Sequence, residues 1–112
     1  MEELLTQAMK KYGELAGATN IKKGMEIDSI KTGNITFQKL KESALKIGDV
    51  LKADQGLIIA SVPVGAMQAS RALLVARIGN GGVDVAAFYK EGLIKQHGAR
   101  QAIDKLKGQL FP

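Results

Sequence analysis

Apolar residues recur at helical spacing toward both ends of this chain and crowd together without spacing in its middle. Near the start, Leu5, Ala8, Tyr12 and Leu15 lie on one face of a helix predicted over 2–16, with Leu4, Met9 and Ala16 widening the stripe. Glu2 and Glu3 open that helix and Lys10 and Lys11 follow, the order that suits a helix dipole; Gly17 is the expected stop. Residues 24–30 alternate well enough for a strand. Lys31-Thr32-Gly33-Asn34 is a turn signature, and 35–37 is expected to return as a short second strand.

From Phe37 the helical rhythm resumes through Leu40, Ala44, Ile47 and Leu51. Thr36 suits the N-cap, and Glu42 precedes Lys46 by one helical turn, the favourable order for an ion pair. Gly48 lowers the propensity of that helix by about 1 kcal/mol and suggests a close contact.

The middle is different. Residues 55–70 carry no charge, and Arg71, Arg77 and Asp84 are the only charges before Lys90. Strands are expected over 56–64, 71–78 and 83–89, with β-branched residues on both parities of the first, as in a strand covered on both faces. The stretch 64–70 reads either as a loop or as the opening of a helix through 78. The glycine cluster Gly79-Asn80-Gly81-Gly82 between two apolar runs favours a hairpin, and hence strands. Ala99, Ala102, Ile103, Leu106 and Leu110 predict a last helix over 99–110.

These elements make an α+β domain spanning 1–112, an antiparallel sheet of about five strands with helices packed on it, in the order α-β-β-α-β-β-β-α. That order is similar to the order in roadblock- and profilin-like domains. The similarity is one of topology alone, with no residue motif of either family matched and so no functional residue implied.

Composition narrows the picture. Aromatics make up only 4% of the 112 residues, so the core must be aliphatic. The absence of cysteine excludes disulfides and thiolate metal sites and fits a reducing cytosol. The N-terminal residues lack the continuous apolar run of a signal peptide, and no window approaches a membrane span, so a soluble cytoplasmic protein is expected. The net charge of +5 permits nucleic-acid contact without demanding it.

Candidate chemistry is sparse. Gly79-Asn80-Gly81-Gly82 has the glycines of an anion-binding nest, but Asp84 stands where a dinucleotide fingerprint needs its third glycine, and a hairpin turn is the stronger reading. A ligand site would draw on Arg71, Arg77, Asp84 and His97, the one histidine. A nucleic-acid surface would draw on Lys39 and Lys46 of the second helix and Lys105 and Lys107 of the last. No catalytic set, metal site or cofactor motif is specific enough to name. The expectation is a non-enzymatic interaction module acting as a homodimer, with nucleic-acid binding and a small-ligand or enzyme site as alternatives.

Overall fold

A computed structural model describes residues 1–13, 21–92 and 95–111. Helix α1 (Glu2–Tyr12) is followed by β1 (Met25–Ile30), α2 (Phe37–Ile47), β2 (Asp49–Asp54), β3 (Leu57–Val64), β4 (Ser70–Gly79), β5 (Gly82–Phe88) and α3 (Gly98–Leu110). The strands form one antiparallel sheet in the order β1-β5-β4-β3-β2. Among the described residues, three α-helices on a five-stranded antiparallel sheet match the α+β class expected from the sequence. Leu15, Ala16 and Gly17, expected to finish the first helix, lie outside the described residues.

One strand stands elsewhere in the chain than the pattern suggested. Residues 35–37 form no strand, because the Thr36 hydroxyl accepts the Lys39 amide proton at 3.1 Å and α2 starts at Phe37. The strand comes instead after α2, as β2, and Leu51 belongs to it rather than to the helix seam. Gly48 makes the switch. A Cβ there would overlap the Ser61 carbonyl, so only glycine lets β3 pass this close to the helix end. The observed order is therefore α-β-α-β-β-β-β-α.

The apolar middle is explained by double coverage. On one sheet face Ile58, Val62, Leu74, Val83 and Val85 pack beneath α2 and α3. On the other, Ile59, Leu73, Val75 and Ala86 meet Leu5, Ala8 and Met9 of α1. Under α2 and α3, rows across the sheet mix large with small: Ala60–Leu74–Ala87 and Ile58–Ala76–Val85. Mixing sizes in a row leaves hollows for the helix side chains, which is how helices and sheets reach crystal-like packing density.

Residues 64–78 resolve into strand, turn and strand. The turn Ala66–Gln68 holds Met67 and Gln68 at φ +56°, sparsely populated for side chains of this size. It is pinned to α3 and the residues just before it: Gln101 Oε1 accepts from the Gly65 amide at 3.0 Å, and Gln96 Oε1 from the Ala66 amide at 2.7 Å. Lys105 Nζ adds bonds to the Pro63 carbonyl at 2.6 Å and to the Gln68 side chain. Among the described residues no helix is long and apolar enough to cross a membrane.

Candidate functional site

The residues of the ligand alternative do not converge. Arg71 and Arg77 lie at opposite ends of β4, about 20 Å apart at a strand's rise per residue. Arg71 Nη1 bonds Asp49 Oδ2 of β2 at 2.9 Å. Arg77 pairs with Asp84, directly opposite it on β5, at 3.6 Å, and Asp84 also accepts from Ser29 Oγ at 2.8 Å. These are exposed or half-buried pairs on the sheet face that α1 shares, where such pairs contribute less than about 1 kcal/mol.

His97 is elsewhere again. It is the N-cap of α3, with φ +55°, and its side chain caps nothing. Glu91 takes over that duty. Its carboxylate accepts the Gln96 amide at 2.8 Å and the Gly98 amide at 3.0 Å, one on each side of His97. A carboxylate satisfying the free amides at a helix start is favoured by both hydrogen bonding and the dipole. Glu91 is therefore a helix cap.

The lysines of the nucleic-acid alternative are divided. Lys39 and Lys46, seven residues apart, share the outer side of α2 and are exposed. Lys105 is tied to the turn after β3. Lys107 lies toward the β1 edge, where its charge helps lower the pKa of Asp28.

The densest charge cluster was not evident from spacing. Arg100 of α3 bonds Asp28 Oδ2 and Glu26 Oε2 of β1 at 3.0 Å each, and its own Asp104 lies at 3.8 Å. Arg100 thereby fastens α3 to an edge strand more than 70 residues earlier in the chain. Asp28 is held below the usual carboxylate range, first by the Arg100 hydrogen bond and then by the Ser29 amide. A depressed carboxylate stabilises the fold above its unfolded pKa, about 3.9, and that contribution fades as pH falls through the lower folded value. Arg100→Met should accordingly melt below wild type at neutral pH. The gap should narrow as melts are taken stepwise from pH 6 to below pH 3. A gap independent of pH would show that Arg100 acts through its packing instead.

Among the described residues no group of three or more histidines and carboxylates is placed to hold a metal ion. Comparisons with protein-family models, with curated proteins and with solved structures give no match.

What the surface does offer is apolar. Leu45 is 55% exposed on α2, the helix that covers β2 and β3, and Leu51 is 39% exposed on β2, the strand that ends the sheet. In α2, Leu40 and Ala44 pack on the sheet and Ser43 beside them is buried. At 100° per residue Leu45 and Lys41 lie on the flank of the helix opposite Ser43. Neither leucine stands out in the sequence: Leu45 is off the helical stripe, and Leu51 continues its spacing. Ile27 on β1, Met67 on the β3–β4 turn and Phe111 are exposed singly at other places. Isolated apolar side chains are ordinary on protein surfaces; Leu45 and Leu51 differ in belonging to adjoining elements at one sheet edge, one on each side of the sheet.

Proposed function

We propose that this protein is a non-enzymatic interaction module that works as a homodimer. The observation that carries the reading is the exposure of Leu45 on α2 and Leu51 on β2, on the two sides of a sheet edge that no described residue pairs. An unpaired strand edge is a template for another strand, and apolar groups beside it add the burial that drives association. The dispersal of Arg71, Arg77 and His97 into separate structural roles weighs against a ligand site built from them.

Size-exclusion chromatography with light scattering tests this directly. The expected result is a peak at twice the chain mass, and Leu45→Asp should raise the dissociation constant about tenfold or more, as for a central interface side chain. A wild-type chain that stays monomeric into the high micromolar range would overturn the reading. Absorbance at 260 nm on the same run separates out the nucleic-acid alternative. With no Trp and two Tyr, the protein itself absorbs weakly. Co-eluting material stripped by salt would favour nucleic acid.

A further inference from the structure

Strand β2 carries an irregularity that bears on what can pair with it. Its register against β3 runs Asp49↔Ser61 and Val50↔Ala60, then jumps to Lys52↔Ile59, Ala53↔Ile58 and Asp54↔Leu57. Leu51 is the extra residue of a β-bulge. Val50 and Ala53 both pack into the core beneath α2 and α3, leaving Leu51 and Lys52 together on the opposite face. Asp49 is on that face too, bonded to Arg71, and Asp54 returns to it. The faces along the strand are therefore out, in, out, out, in, out, the same read in either direction, and its exposure follows suit.

This palindrome has a geometric meaning. Directly opposed residues of an antiparallel pair point to the same side of the sheet. A regular strand laid along β2 stays in step on one side of the bulge and falls out of step on the other. A second β2, reversed about the point between Leu51 and Lys52, stays in step throughout. Asp49 then opposes Asp54, Val50 opposes Ala53 and Leu51 opposes Lys52, and each extra residue meets its counterpart.

We infer that the occupant of this edge is a second copy of the same chain, joined β2 to β2 about a two-fold axis normal to the sheet. The inference rests on the homodimer reading and names its interface. The result is one continuous sheet of ten strands from two copies of the five-stranded sheet. Leu51 of each copy lies diagonally across from the other's on one face, flanked by the Lys52 stems. The opposed aspartates do not meet as bare charges, because Asp49 holds Arg71 at 2.9 Å and the guanidinium can reach the partner's Asp54 as well.

The helix layer agrees with the same axis. The midpoint of β2 lies about 8 Å along the strand from Asp49. Since α2 runs back from Gly48 at 1.5 Å per residue, that height falls about five to six residues before its end. This is the level of Lys41 and Glu42. Two antiparallel α2 helices crossing there place Lys41 of each copy beside Glu42 of the other, with Leu45 packed one turn away. The opposite edge offers no such match. Strand β1 presents Glu26 and Asp28, with Asp104 nearby, so two copies would gather six carboxylates around two Arg100 side chains.

The chain has no cysteine, so single engineered thiols report contacts cleanly. Leu51→Cys places two Cα atoms about 6 Å apart across the axis, within disulfide reach. Under mild oxidation it should form a covalent dimer nearly quantitatively, while Ile27→Cys on β1 should stay monomeric on a denaturing gel. Circular dichroism of both variants confirms that they fold. A protein that remains dimeric by light scattering, yet crosslinks through Ile27→Cys and not through Leu51→Cys, overturns this interface and leaves the homodimer reading standing. Monomeric wild type and no crosslink at either position overturn both.

Discussion

Gly82→Ala should lose about 3 kcal/mol of stability and about 10–20 °C in melting temperature, although it adds one methyl group to the edge of a turn. The hairpin joining β4 and β5 turns on Asn80 and Gly81, with Gly81 at φ +81°. Gly82 follows in extended backbone, so its cost is not conformational. The incoming Cβ would overlap the Ile30 carbonyl at the end of β1 and press on Lys31. Both are main chain. Relief requires moving the end of β1, which is held by its pairing with β5 and by the Gly33 amide bonding the Gly81 carbonyl at 3.0 Å. Gly81→Ala is the natural control. Nothing lies near its Cβ position, and the penalty is only that of a left-handed conformation, about 1 kcal/mol. Thermal melts of the two variants should rank them in that order. Equal losses would show that β1 yields freely at this end.

Leu74→Ala should cost a similar amount, about 3 kcal/mol, for the opposite reason. Leu74 is fully buried at the centre of β4, between Ala60 on β3 and Ala87 on β5. Its side chain is the only large one of these three, so truncation leaves three alanines side by side beneath the helices. Neighbours with so little side chain have nothing to swing into the gap, and a cavity that does not collapse lies at the costly end of such substitutions. Leu74→Met keeps the volume and should cost under about 1.5 kcal/mol. Urea unfolding monitored by circular dichroism distinguishes these. Equal midpoints for Ala and Met would mean that the layer repacks around the vacancy.

The strands of the middle were readable because double burial leaves a plain mark: a run without charge, β-branched on both parities, cut by Gly79-Asn80-Gly81-Gly82. The helices were readable from their stripes, and Thr36 caps α2 as its position suggested. Strand β2 was hidden by its own bulge. Adding one residue destroys the two-residue alternation that reveals a strand, and it happens to leave Leu51 at the next helical step after Ile47. Gly48 was the available sign. Its tight approach to Ser61 is a tertiary fact that local propensity cannot register. Arg71, Arg77 and Asp84 stand out in the sequence as a group, but only the hairpin register decides that Arg77, and not Arg71, faces Asp84. Arg100 with Glu26 and Asp28 was out of reach, since nothing local relates residues so far apart in the chain. The Glu91 cap is hard to read for a milder reason: it stands seven residues before Gly98 instead of occupying the N-cap itself.

The two tyrosines fall one to each side of the sheet. Tyr89 is buried with the α2 and α3 layer, its ring so close against Gly98 that no side chain fits between. Tyr12 packs at the margin of the α1 cluster on the far side. Because tryptophan is absent, the tyrosine band of the near-ultraviolet spectrum comes from one ring in each layer. Tyr12→Phe leaves an optical signal that follows the docking of α3 alone, and Tyr89→Phe one that follows α1. Unfolding recorded on both would show, without any added label, whether the two sides of this sheet come apart together or in turn.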